Sequence, residues 1–205
     1  MTRAAIDVVI VDSGGANLAS LAFALDRLGA RSQVSADPEA IRRAPRVLLP
    51  GVGSAGDAMA RLQRTGLDDV LPTLSQPVLG ICLGMQLLYE HSEEGGARCL
   101  GIVPAAVQRL AASPGRPVPH MGWNRVRARQ DHPLLAGIES GTHLYFVHSY
   151  AAPVTAESVA LTDYGDDLTA VVARDNFVGT QFHPERSGSA GARILQNFLR
   201  LAPCS

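Results

Sequence analysis

Three short aliphatic runs, at residues 6–11, 47–49 and 78–82, each lead through a turn into residues at helical spacing. Runs of this kind, with no polar alternation, read as parallel strands buried on both faces. After the first run, Asp12-Ser13-Gly14-Gly15-Ala16-Asn17 forms a turn cluster. Leu18, Leu21, Ala22, Leu25 and Leu28 then repeat at helical spacing, and Gly29 stops the helix. A strand around 31–35 follows. The second run leads through Pro50-Gly51-Val52-Gly53-Ser54-Ala55-Gly56 to a helix around 57–64, and the third to a helix around 84–91. The alternation predicts an α/β fold, an open and mostly parallel sheet with helices on both faces. From residue 103 the pattern changes. Segments 103–110, 124–129, 144–149, 159–162, 170–174 and 178–183 read as strands with few helices between them, so a mixed or antiparallel portion is added to the sheet. A last helix, around 190–201, carries Ile194, Leu195, Phe198 and Leu201 on one stripe. Residues 113–119 read as a loop inside one domain spanning 1–205, a length suited to a single sizeable core.

Lys plus Arg number 18 and Asp plus Glu 19. A charge so near zero argues against a nucleic-acid footprint or a polybasic membrane patch. No apolar run approaches the ~18 residues of a membrane span, and the first residues turn acidic before any signal-like stretch develops. The three cysteines, at 82, 99 and 204, form neither a disulfide framework nor a CxxC pair. A reduced, cytoplasmic setting is expected, with no metal.

Gly80-Ile81-Cys82-Leu83-Gly84 closes a strand and opens a helix. It is the thiol version of the nucleophile elbow. A nucleophile at the tip of a tight turn needs neighbours without side chains two residues away, or strand and helix collide. A helix N-terminus beneath the sulfur favours thiolate. A lone cysteine at a strand end is ordinarily an inert buried hydrophobe; the glycines and the setting place the nucleophile reading level with it. Cys99 and Cys204 have no such setting. His183 ends the apolar strand Phe177-Val178-Gly179-Thr180-Gln181-Phe182 and precedes Pro184-Glu185. Chemistry in open α/β sheets collects outside the carboxyl ends of strands, so His183 is the candidate base, with Glu185 to orient it. A lone histidine is more often structural; the adjacent acid and the available thiol reverse that.

Gly51-Val52-Gly53-Ser54-Ala55-Gly56 matches the G-x-G-x-x-G of dinucleotide-binding loops. That fingerprint needs an acid at the tip of the next strand, and here the tip is Cys82. The loop is better used as an oxyanion hole, with the N–H of Leu83 as a further donor.

Together, Gly80-Ile81-Cys82-Leu83-Gly84-Met85-Gln86 and His183-Pro184-Glu185 resemble the class I, or triad, glutamine amidotransferases. The resemblance implies a flavodoxin-like fold and a Cys82–His183–Glu185 triad that hydrolyses the side-chain amide of L-glutamine without a cofactor. Asp12-Ser13-Gly14-Gly15-Ala16-Asn17-Leu18, Pro50-Gly51-Val52-Gly53, His120-Met121-Gly122-Trp123-Asn124 and Phe146-Val147-His148-Ser149-Tyr150 are similar to one branch of that family. In that branch the partner is a separate (β/α)₈-barrel cyclase subunit, which receives the ammonia. By this resemblance Gly51, Val52, Gly53 and Leu83 form the oxyanion hole. Gln86 and the backbone of His148, Ser149 and Tyr150 hold glutamine. Asn17, Pro119, His120, Met121 and Trp123 lie toward the cyclase. Glutaminases that serve anthranilate, aminodeoxychorismate or pyridoxal phosphate synthases are the rival branches, and the 120–124 motif argues against them. The chain departs from the branch's usual Asp-Tyr-Gly-x-Gly-Asn at Ser13 and Ala16, both at the subunit contact the resemblance implies.

Trp123, the only tryptophan, sits in a Gly/Pro-rich stretch. Residue type alone leaves it a satellite core residue or an interface anchor; the resemblance favours the interface. Arg125, Arg127 and Arg129 alternate along a strand and read as a solvated face, with salt bridges to a partner as the alternative.

Overall fold

Val8 and Ile10 bury one face of the first strand, and Val9 and Val11 bury the other. The same two-sided burial holds for the strands beside it, as parallel strands require. The computed structural model describes residues 6–13 and 18–202. In chain order the elements are β1 (Val8–Val11), α1 (Leu18–Arg27), β2 (Ser32–Ser35), α2 (Pro38–Arg42), β3 (Val47–Gly51), α3 (Ala55–Arg64), α4 (Leu67–Val70), β4 (Val78–Cys82), α5 (Leu83–Gln86), β5 (Tyr89–Ser92), β6 (Ala97–Arg98), β7 (Val103–Arg109), β8 (His120–Ala128), β9 (Thr142–His148), β10 (Tyr150–Ala151), β11 (Ser158–Asp163), β12 (Asp167–Arg174), β13 (Phe177–Thr180) and α6 (Gly188–Phe198).

The main sheet has the order β2-β1-β3-β4-β13-β12-β11-β8-β9. Pairing is parallel from β2 to β13 and antiparallel from β13 to β9. The expected parallel core with an antiparallel extension is therefore present. Leu21 and Leu25 of α1 pack on one face with Ile194, Leu195 and Phe198 of α6. The other face meets α2, α3 and α4, and also Tyr89, Val103 and Val107 of a second, four-stranded sheet ordered β10-β7-β5-β6. Helices cover only part of that face.

The helix expected around 84–91 is the main correction. It ends at Gln86, and Tyr89–Ser92 leaves as β5. Leu87, Leu88 and Tyr89 are all fully buried. β5 pairs in parallel with β7 through Tyr89↔Val103 and Ser92↔Val107, a distant partnership that overrides the local pattern. The short helix α2 also escaped the periodicity. Asp37 caps it through Glu39 N–H at 3.1 Å. No helix among the described residues is long and apolar enough to cross a membrane.

Ser13 is buried, and its hydroxyl donates to the Pro50 carbonyl at 2.8 Å. It braces the end of β3 from inside the chain. Asn17, expected at an interface, and the departure at Ala16 lie outside the described residues. Arg125, Arg127 and Arg129 are exposed. Arg127 pairs with Asp167 and Arg129 donates to the Thr155 carbonyl, so this is a solvated face with partners inside the chain.

Candidate active site

β4 delivers Cys82 into the elbow with φ 54° and ψ −111°. Such a conformation in a non-glycine residue costs about 1–3 kcal/mol and persists only where its surroundings enforce it. The flanking glycines supply that enforcement. A Cβ on Gly80 would lie 2.6 Å from the carbonyl oxygen of Gly84, and one on Gly84 would lie 1.7 Å from that of Leu49. Turn, helix and neighbouring strand therefore touch backbone to backbone, and the sulfur is left at the rim of a cavity.

β13 runs parallel to β4 and carries His183 out beside Cys82. The His183 N–H donates to the Tyr145 carbonyl of β9 at 2.9 Å. Ser187 fastens the same corner, since its hydroxyl donates to the His183 carbonyl at 2.7 Å and accepts from Tyr145 N–H at 2.9 Å. A tight turn over Pro184–Arg186 folds Glu185 back, so that its Oε1 lies 2.8 Å from His183 Nδ1. The other ring nitrogen is left for the thiol. Burial works against a charged imidazole here. Hydrogen bonds to Cys82 and Glu185, and their negative charge, outweigh it and push His183 up to about 10. The geometry favours the protonated imidazole at the cavity wall.

The cavity holds about 300 Å³. Its wall includes every residue assigned from the sequence to the triad, the oxyanion hole and glutamine binding. Gly51 pairs in register with Cys82 across β3 and β4, and residues 51–53 and Leu83 line the same cavity as the sulfur. Gln86 is buried, and its amide donates to the Tyr150 carbonyl at 2.8 Å.

Three wall residues were missed in the sequence. Val147 is one. Arg186 stacks its guanidinium over Tyr145, 4.8 Å from the ring centre. Glu94 accepts the N–H of Ala55, the first residue of α3, at 2.9 Å. This carboxylate occupies the helix N-terminus that a dinucleotide phosphate would need, so the glycine loop is no phosphate cradle. An acid among Glu93-Glu94-Gly95-Gly96, soon after the elbow, was the available signal. Cys99 is buried and its thiol is pushed up to about 11 by desolvation, which leaves it inert at neutral pH. Cys204 lies outside the described residues.

The residues expected to face a partner divide by strand alternation. Met121 and Trp123 point outward, 62% and 56% exposed, and Pro119 is also exposed. His120 points inward, 3% exposed, stacked between Phe146 and Tyr164. Of the described residues expected toward the cyclase, His120 is therefore the one whose side chain is buried within the chain. Its Nδ1 lies 2.9 Å from Nε2 of His148. Burial lowers His120 to about 4, and burial together with the neighbouring His120 lowers His148 to about 3. Both folded values lie below the ordinary value of about 6.5. Below that pH the unfolded chain binds protons that the folded chain refuses, so stability falls as pH is lowered. Urea midpoints are expected to drop between pH 6.5 and 5, with a limiting slope of ~1.4 kcal/mol per pH unit for each ring. Midpoints that stay flat across that window would show that neither ring is held neutral.

The glutamine amidotransferase class-I family model matches residues 9–202. The imidazole glycerol phosphate synthase subunit HisH of Xylella fastidiosa is 52% identical over 95% of this chain and 98% of its own. The subunit of the same description from Xanthomonas campestris pv. campestris is 52% identical over 96% of this chain and 98% of its own. Among solved structures, one described as a glutamine amidotransferase superposes with a TM-score of 0.73 at 20% identity, covering 94% of this chain and 96% of the other. PurLQS from Thermotoga maritima gives 0.72 at 20% identity, with the same coverage. At that identity the structures speak for the fold. The family model, spanning a cysteine elbow and a His-x-Glu pair that meet at one cavity, establishes that this chain belongs to the class-I glutamine amidotransferases.

Proposed function

We propose that this chain is the glutaminase subunit of imidazole glycerol phosphate synthase, hydrolysing L-glutamine to glutamate and passing ammonia to a cyclase subunit in histidine biosynthesis. The observation that carries the chemistry is His183 standing between Cys82 and Glu185 on the cavity wall. Likeness to the HisH subunits over almost the whole chain supports the choice of synthase over the anthranilate, aminodeoxychorismate and pyridoxal phosphate branches.

In this reading the Cys82 thiolate attacks the amide carbon of glutamine. The tetrahedral oxyanion is met by backbone N–H groups of Leu83 and residues 51–53. His183, held as the imidazolium by Glu185, gives its proton to the departing nitrogen, and ammonia leaves. The neutral imidazole then takes a proton from water, which attacks the thioester carbon. Glutamate departs and the thiolate–imidazolium pair is restored. Gln86 and the 148–150 backbone hold the amino-acid end of the substrate. Glu94 offers a carboxylate to its ammonium group and Arg186 a cation to its carboxylate. Met121, Trp123 and Pro119 face the cyclase, two large exposed apolar side chains on one strand face. A nucleophilic thiol suits a reduced, cytoplasmic compartment.

Glutamate release by the chain alone and with the ligand-loaded cyclase tests this directly. Stimulation of roughly 10–100-fold is expected, the range of a typical coupling between sites. Stimulation by an aromatic-pathway synthase and none by the cyclase would overturn the assignment.

A further inference from the structure

Gln181, just past the end of β13, is wholly buried, and the chemistry above makes no use of it. Its side-chain Nε2 lies 3.8 Å from Cys82 Sγ, and its Oε1 lies 2.9 Å from Nε2 of Gln86. Which end of each amide faces which neighbour is fixed by the groups around them. The Tyr150 carbonyl can only accept, so Gln86 must turn its NH₂ toward it, at 2.8 Å. That same NH₂ meets Gln181, which must answer with its oxygen. The NH₂ of Gln181 is thereby left to point at the sulfur.

The other side of the network agrees. The Tyr150 carbonyl also takes the Nδ1–H of His148 at 2.8 Å. A neutral His148 then has Nε2 as an acceptor, filled by the Nδ1–H of His120 at 2.9 Å. His120 Nε2 accepts in turn from the Asn124 amide at 3.2 Å. That amide's second proton goes to the Asp163 carbonyl at 2.8 Å, and its oxygen takes the Arg125 N–H at 2.7 Å. One set of directions satisfies every member from β8 to the elbow.

We propose that Gln181 is a catalytic residue of this site, its side-chain N–H stabilising the Cys82 thiolate, and that the Asn124–His120–His148–Tyr150–Gln86 chain holds it in that orientation. The proposal rests on Cys82 being the nucleophile. A neutral thiol can donate its proton to the Val147 carbonyl, 3.8 Å away, while accepting from Gln181. A thiolate loses the first contact and strengthens the second, because hydrogen bonds to a charged acceptor are the stronger kind. The same donor serves the sulfur again when it leaves the thioester as thiolate.

The test is the pH dependence of Cys82 alkylation by iodoacetamide in the full chain, followed on the Cys82 peptide by mass spectrometry. Gln181→Met keeps the length of the side chain and removes the donor. The other ionisable groups around that cavity, namely His183, Glu185, His148, Glu94, Arg186 and Tyr150, are the same in both proteins. The alkylation inflection is expected to rise by about one pH unit, and cyclase-stimulated kcat to fall roughly tenfold with KM little changed. An unmoved inflection would overturn the proposal, since a packing role predicts a lower melting temperature only. Should Gln181→Met not fold, wild-type protein labelled with ¹⁵N gives the answer. The Gln181 side-chain NH₂ resonance is expected to titrate in step with alkylation and to stop titrating in Cys82→Ala. A resonance indifferent to the ionisation of Cys82 would sink the idea. Full cyclase-stimulated activity in Cys82→Ala is a separate result, and it would fell the nucleophile reading instead.

Discussion

Cys82→Ala is expected to lower cyclase-stimulated glutamate release by roughly 10⁴-fold or more while leaving the protein folded. Alanine lacks only the sulfur, so it clashes with nothing new at the tip of the elbow, and it meets the same φ of 54° that cysteine already tolerates. The loss therefore reads out the nucleophile and not the turn. His183 and Glu185 keep each other at 2.8 Å, but with no sulfur beside it the imidazole loses one of the two partners that raise it to about 10. A general base facing water alone has no covalent route, so the residual rate reflects binding and the oxyanion donors only. Two measurements separate the causes of a loss. Urea melting reports whether the elbow still folds. Supplying ammonium salt in place of glutamine reports whether the cyclase in the complex still works. Activity within tenfold of wild type would end the thiol mechanism outright.

The parts of this site that were legible in the sequence are those whose chemistry forces a local spacing. Glycines two residues either side of Cys82 announce an elbow because the backbone contacts at Gly80 and Gly84 tolerate nothing larger. His183 and Glu185 are close in sequence because a single turn brings them together. Gln181 gave no such sign. It sits in a run that reads as an apolar strand, and its meaning comes from Gln86 and Cys82, both more than ninety residues away. Glu94 was hidden likewise, since the α3 N-terminus it fills lies 39 residues upstream. The fold follows the same division. The parallel strands were marked by unbroken aliphatic runs. The end of α5 was not, because Leu87-Leu88-Tyr89 suits a buried helix as well as a strand until β7 is available to pair with it. His120 was placed with its neighbours Met121 and Trp123, although residues adjacent on a strand face opposite ways.

Gly84→Ala is expected to be the most damaging glycine-to-alanine change among the described residues. The added carbon would lie 1.7 Å from the Leu49 carbonyl oxygen and 3.3 Å from the carbonyl carbon of Pro50. Both are backbone atoms of β3, a fully buried strand held between β1 and β4. Relief would require moving β3 off the elbow, which also carries Gly51 away from Cys82. A loss of about 4 kcal/mol or more is expected, enough to unfold many domains of this size. Gly56→Ala is the control. Gly56 lies in the first turn of α3 with nothing within 4 Å of a Cβ, so alanine there is expected to stabilise the protein by about 0.5–1 kcal/mol through helix propensity. The contrast also bears on the glycine loop. In a dinucleotide fold the third glycine of G-x-G-x-x-G is the one that lets helix and strand pack closely. Here that tight contact lies at Gly84, under Cys82. A urea midpoint that falls for Gly56→Ala and holds for Gly84→Ala would reverse this assignment, and with it the claim that the elbow is the point around which the site is built.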